Sequence, residues 1–153
     1  MKPKYFFISA LVFLADRLAK EMVIRQIPLG DIIPALPFFN WTYVQNTGVA
    51  FGLGQNFNFI FILVSFILIG LLAGFYRKLI SDQNAWANTG LALVMGGAIG
   101  NLYDRIVFKS VVDFLDFFVG AHHWPAFNIA DACICTGVAL LLFSQKKMEE
   151  VNS

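Results

Sequence analysis

The stretch FIFILVSFILIGLLAGFY, Phe59 to Tyr76, runs for 18 residues without a charge. That is close to the minimum length of helix needed to cross the hydrocarbon of a bilayer. The rest of the composition agrees with it: 58% of residues are hydrophobic and 14% charged, against about 25% charged in a soluble domain. The 17 Phe exceed what a soluble core of this size could bury. The chain therefore reads as a membrane protein, and 153 residues are enough for a single domain, 1–153. A net charge of +1 provides no basic face for phosphates, which argues against a nucleic-acid partner.

Three further segments are apolar but interrupted by polar residues. Together the four predicted spans are about 5–24, 59–76, 87–108 and 127–143, with outer segments 25–58 and 109–126. The N-terminus, MKPKYFFISALVFLA, starts like a signal peptide, yet it runs on into DRLAKE without a convincing small-residue cleavage site, so an uncleaved first span is expected. Lys2 and Lys4, Arg77 and Lys78, and Lys146 and Lys147 all fall on one side of a four-span arrangement. The positive-inside rule makes that side, and both termini, cytoplasmic.

The outer segments carry order of their own. Pro28, Pro34 and Pro37 exclude one long helix in IPLGDIIPALPFF, leaving room for a short interfacial helix lying on the membrane. FFNWTYV alternates Phe39, Trp41 and Tyr43 with Asn40 and Thr42, the period of a strand with one aromatic face. Asn46 to Gly48 follows as a turn. The expected fold class is an all-α membrane protein: a four-transmembrane-helix bundle with a small extracytoplasmic β-sheet and a short interfacial helix.

The polar residues inside the spans fall into pairs and stripes. Asp16 and Lys20 are four apart, acid first, the favourable order on a helix. Asp16 lies roughly 17 Å into the first span at 1.5 Å per residue, too deep for an idle charge, so the pair is expected to face the bundle interior. Arg17 and Glu21, with the same spacing, read equally well as a self-neutralised, snorkelling helix end. In GGAIGNLYDR, Gly97, Asn101 and Arg105 recur every four residues and share one stripe, which could hold backbone carbonyls or a carboxylate of a substrate. Gly96 with Gly100, and Gly70 with Gly74, are small-xxx-small pairs suited to close helix contact.

Two acids stand apart from these. Asp113, in SVVDFLDFF, follows the third span, and Asp131 lies just inside the fourth, within about the first helical turn, where the dipole favours negative charge. The loop between them leaves and re-enters the same membrane surface, so the two carboxyls can meet. Brought together in a partly dry site they cannot both ionise easily, and one would keep a proton while the other acts as a base toward water. Asp116 reads as a solvated loop residue. Cys133 and Cys135 point apart on a helix and read as small buried hydrophobes. His122 and His123 lack a nearby third ligand and read as interfacial loop residues, and Trp41, Trp86 and Trp124 suit an aromatic belt.

ADRLAK, NTGVAFG, GGAIGNLYDR, VVDF and FNIAD occur in the order, topology and spacing of the lipoprotein signal peptidase family (signal peptidase II), which the chain resembles along essentially its whole length. The resemblance implies a metal-free and cofactor-free aspartyl endopeptidase of the bacterial inner membrane with four transmembrane helices, its active site toward the outer side. Its substrates would be diacylglyceryl-modified prolipoproteins, cut on the amino side of the lipidated cysteine, and membrane lipids would be its surroundings. By the same motifs, Asp113 and Asp131 would be the catalytic pair, and Asn46, Gly48, Asn101 and Arg105 would bind substrate. Asp16, Lys20, Asp104, Asn128 and Ala130 would support them. One chain holds every group required, so a functional monomer is expected. The alternative, a small channel or proton-coupled transporter, would need polar residues along the inner halves of the spans, and the second and fourth offer almost none.

Overall fold

A computed structural model of the chain describes residues 3–48, 57–79 and 84–152. Along that chain come α1 (Pro3–Gln26), β1 (Ile32–Leu36), β2 (Phe39–Asn46), α2 (Asn58–Leu79), α3 (Ala85–Val107), β3 (Val111–Val119), β4 (His122–His123) and α4 (Ile129–Asn152). The four helices and the small antiparallel sheet match the architecture expected from sequence. Lys2 and residues 49–56, of which 49–52 complete the NTGVAFG motif, lie outside the described residues.

Helix α3 is the centre of the bundle and packs against α1, α2 and α4, most extensively against α4. Glycine makes that proximity possible. A Cβ at Gly90 would stand 2.6 Å from the Gly137 carbonyl oxygen, and one at Gly97 would run into the Ala130 carbonyl oxygen. On the next face of α3, Gly96 lies against Ser9 and Gly100 against the Asp16 carboxylate of α1. The second expected pair behaves differently: nothing lies within 4 Å of a Cβ built at Gly70 or Gly74, so neither glycine of α2 serves close packing among the described residues.

The helices turn their polar residues inward. On α1 the buried positions are Tyr5, Ser9, Val12, Asp16, Lys20 and Val23, a single stripe at intervals of three and four. Phe6 and Phe7, by contrast, are 69% and 68% exposed, and Leu11, Leu14 and Leu18 continue the same outward face. The outer surface of α2 is apolar in the same way, from Phe59 to Leu71. Among the described residues, no helix is long and apolar enough to cross a membrane.

The sheet runs β1-β2-β3-β4, antiparallel throughout. The short interfacial helix expected between Pro28 and Phe39 is replaced by β1. Its five residues are exposed, and Ile32 pairs with Thr42 and Pro34 with Asn40. At a sheet edge the missing N–H of Pro34 costs little, whereas in a helix interior it would break the ladder. In β2 the expected aromatic face is also not uniform. Phe39 and Tyr43 are buried, but Trp41 is exposed while Asn40 and Thr42 are buried. The register shift between Trp41 and Val44 explains part of this, and the rest comes from partners: Asn40 hydrogen-bonds Asp116, and Thr42 hydrogen-bonds the Asp31 carbonyl.

A compact apolar cluster of Val23, Ile27, Tyr43, Val112 and Phe114 joins the end of α1 to β2 and β3. Lys109, at φ 62°, makes the sharp exit from α3 into β3. The result brings the start of β3, the start of α4 and the last turns of α3 to one end of the bundle.

Candidate active site

Asp131 is placed by local chemistry. Asn128 precedes the first residue of α4, and its Oδ1 accepts the backbone N–H of Asp131 at 2.9 Å, while Asp131 Oδ2 accepts the backbone N–H of Asn128 at 3.3 Å. This is a reciprocal capping box three residues long, and it satisfies two amides that a helix start leaves without partners. From α3, Asn101 Nδ2 donates to the other oxygen of Asp131 at 2.7 Å.

Asp113 is placed by the sheet. It lies in β3 beside the end of β2, where Val44 is its partner and Asn46 pairs with Val111. Asn46 Nδ2 donates to Asp113 Oδ2 at 2.9 Å, and Asn128 Nδ2 donates to Asp113 Oδ1 at 2.7 Å. Asn128, itself fully buried, therefore holds Asp113 with its amide nitrogen and caps the helix of Asp131 with its amide oxygen. Burial, and then the charge of Asp131, push the Asp113 carboxyl up to about 7. The hydrogen bonds from Asn46 and Asn128 and the nearby Lys20 pull the other way.

Both carboxyls line one cavity of about 480 Å³, together with Asn46, Asn101 and Arg105. Arg105 donates from Nη2 to the Gly48 carbonyl at 2.9 Å, and its guanidinium lies 4.9 Å from the Phe61 ring centroid. Its Nη1, buried, has no hydrogen-bond partner among the described residues. A buried donor without a partner costs about 1–3 kcal/mol, so this wall is suited to an acceptor from outside the chain. Gly48 closes the turn by donating its N–H to Asn46 Oδ1 at 2.9 Å.

Behind the cavity lies a dry charge cluster. Lys20 Nζ is 2.7 Å from Asp16 Oδ2, 2.8 Å from Asp104 Oδ2 and 3.1 Å from Asn101 Oδ1, with all three charged side chains fully buried. Arg17 reaches Asp104 at 2.9 Å as well as Glu21 at 3.5 Å, and it lies over the Tyr103 ring, so it is more than a snorkelling helix end. Asp16 Oδ1 accepts the backbone N–H of Ala130 at 2.9 Å. The expected site residues thus converge on one place.

Three expectations are corrected here. Asp116 is not a solvated loop residue. Three residues along β3 from Asp113, it is buried and bonded to Asn40 at 2.8 Å and to His123 Nδ1 at 2.8 Å. His123 belongs to β4 and stacks on Phe118, and that pairing is why neither residue is loose. Cys135 is exposed rather than buried and lines the cavity, while Cys133 is half-buried; both thiols are free. The signal for Cys135 was its spacing of four from Asp131, which puts the two on one face of α4. No group of three or more potential metal ligands is found among the described residues.

Residues 8–146 match the family model described as signal peptidase (SPase) II. The chain belongs to the signal peptidase II family. It is 44% identical over 142 residues to the lipoprotein signal peptidase of Syntrophotalea carbinolica, covering 90% of this chain and 88% of that one. To that of Geobacter metallireducens it is 40% identical over 160 residues, covering 100% and 98%. Two solved structures, each described as a bacterial membrane enzyme studied by the in meso method, are 28% identical to it. One has a TM-score of 0.89 over 100% of this chain and 93% of that one, and the other 0.82 over 95% and 94%. As a signal peptidase II the chain is a hydrolase of the aspartic peptidase kind.

Proposed function

We propose that this signal peptidase II removes signal peptides from diacylglyceryl-modified prolipoproteins, cutting on the amino side of the lipidated cysteine with a water activated between Asp113 and Asp131. The observation that carries the reading is that two carboxyls distant in sequence line one cavity, each tied to Asn128, with the Nη1 of Arg105 beside them lacking a partner among the described residues. The ionised aspartate takes a proton from water as its oxygen attacks the scissile carbonyl. The protonated partner gives its proton to the carbonyl oxygen. Collapse of the tetrahedral species then breaks the C–N bond: the amine nitrogen receives the proton taken from water, and one hydroxyl proton returns to the partner aspartate, restoring the singly protonated pair. No bond to the enzyme forms. Burial raises the Asp113 carboxyl, which favours keeping one shared proton on the pair at neutral pH.

Arg105 and Asn46 would hold substrate carbonyls, with Gly48 fixing the turn that carries Asn46. Asn101 and Asn128 would orient the carboxyls, and Ala130 and Asp104 would anchor the backbone around them. The chain would work as a monomer in the bacterial inner membrane, with both termini cytoplasmic and the cavity toward the outer surface. Four spans, about 5–24, 59–76, 87–108 and 127–143, would cross it as a bundle. Support comes from the distribution of side chains: the charges that lower the hydropathy of α1 and α3 turn inward onto one another, and the outward faces are apolar. Acyl chains would stay in the lipid while the peptide bond reaches the acids at the rim.

The test is to incubate the purified protein with diacylated and non-acylated precursors and locate the cut by mass spectrometry. Cleavage before the lipidated cysteine, abolished in Asp113→Asn and Asp131→Asn, is expected. Turnover by either variant at the wild-type rate removes the dyad, and equal cleavage of both precursors removes the lipid requirement.

A further inference from the structure

Lys20 touches neither catalytic candidate, yet its three contacts lead to both. Asp16, paired to it at 2.7 Å, receives the backbone N–H of Ala130, the residue before Asp131. Asp104, paired at 2.8 Å, receives the backbone N–H of Val112 at 3.4 Å, the residue before Asp113. Asn101, whose oxygen accepts from Lys20 at 3.1 Å, donates to Asp131 itself at 2.7 Å. One buried ammonium thus joins the start of α4 and the start of β3.

Charge adds a second, independent constraint. The groups gathered here are Asp16, Arg17 and Lys20 from α1, Asp104 and Arg105 from α3, Asp113 from β3 and Asp131 from α4. Further out, Glu21 pairs with Arg25 at 2.8 Å and more loosely with Arg17 at 3.5 Å, and the Glu21–Arg25 pair adds no net charge. Asp116 and His123 form their own pair three residues along β3, an odd offset that turns Asp116 to the other face of the strand. Within the inner cluster three cations face four carboxyls, so it is neutral when the two aspartates together hold a single proton. An uncompensated charge in so dry a place is costly, and that cost favours the singly protonated pair.

We infer that Lys20 is a positioning residue that sets both the spacing of Asp113 and Asp131 and the number of protons they share. This rests on the dyad proposed above. Removing Lys20 leaves the cluster one charge too negative and favours a second proton on the pair. Removing the charge of Asp16 does the reverse, because the pair then gives up its proton more readily. The two changes, four residues apart on one helix, act in opposite directions.

The experiment is a pH profile of kcat/KM for Lys20→Met and Asp16→Asn on a diacylated precursor. Asp16→Asn keeps an oxygen for the Ala130 amide. In Lys20→Met, kcat should fall about tenfold or more, against a smaller change in KM. The alkaline limb should move up by about half a pH unit or more. In Asp16→Asn the limb should move down. Loss of rate in both with the limb unmoved, or moved the same way, overturns the inference and leaves Lys20 a structural cation. Should Lys20→Met fail to fold, the direction of the Asp16→Asn displacement decides. Asp113→Asn and Asp131→Asn run alongside: cleavage by them defeats the dyad, whereas their inactivity with an unmoved profile defeats only the role of Lys20.

Discussion

Asn128 holds Asp113 through a 2.7 Å hydrogen bond and, with the other end of the same amide, caps the helix that carries Asp131. Neither carboxyl can shift without straining this shared group.

Substitutions at Asn128 should separate its two tasks. Asn128→Ala removes the cap, at about 1 kcal/mol, and leaves a buried Asp113 oxygen without its donor, at about 1–3 kcal/mol more. Asn128→Asp can still cap α4 but sets a carboxylate against Asp113. Thermal unfolding in detergent should place Asn128→Asp above Asn128→Ala below neutral pH, where Asp113 is protonated. Precursor cleavage should be lost in both. A stable Asn128→Asp with normal turnover would contradict the bridging role.

The raised Asp113 carboxyl gives a pH dependence with a defined sign. Its value in the fold, about 7, lies above the ordinary 3.8. The stability tied to its neutral form is therefore present below about pH 4 and is lost as pH rises through about 7. If Asp113 holds the proton used in cleavage, kcat/KM also declines on the alkaline side of about 7. The apparent value belongs to the interacting pair. A pH-rate profile flat from 6 to 9 would count against it.

Close helix contact should be sensitive at Gly97 and indifferent at Gly70. In Gly97→Ala the new methyl meets the Ala130 carbonyl, backbone that cannot swing aside. A cost of about 1–3 kcal/mol is expected, with loss of cleavage because Ala130 adjoins Asp131. Gly70→Ala meets nothing within 4 Å among the described residues and should be neutral or slightly stabilising, by up to about 1 kcal/mol. Unfolding midpoints of the two variants check this directly.

Cys135 supplies a chemical probe of the cavity. A small maleimide should alkylate it faster than the half-buried Cys133 and block cleavage, and a bound precursor should slow the labelling. Cys135→Ser should cleave normally and resist the reagent. Equal inhibition of Cys135→Ser would place the reactive thiol elsewhere.

What the sequence determined by itself is what depends on neighbours along the chain. The four helices announce themselves in apolar runs, and the inward stripe of Asp16 and Lys20 follows from a spacing of four. Asn101 and Arg105 fall on one face of α3 for the same reason, and both line the cavity. The capping pair Asn128 and Asp131 is equally local, a spacing of three at a helix start. Tertiary structure decided the contacts between segments far apart in the chain. Asp116 became buried because Asn40 and His123 meet it across the sheet. Residues Ile32–Leu36 became a strand because β2 was there to pair with. The meeting of Lys20 with Asp104 and Asn101, over more than 80 residues of chain, has no local signature. Periodicity records which face of an element is polar. Only packing, here of glycine surfaces that let α1, α3 and α4 approach, decides what that face will touch.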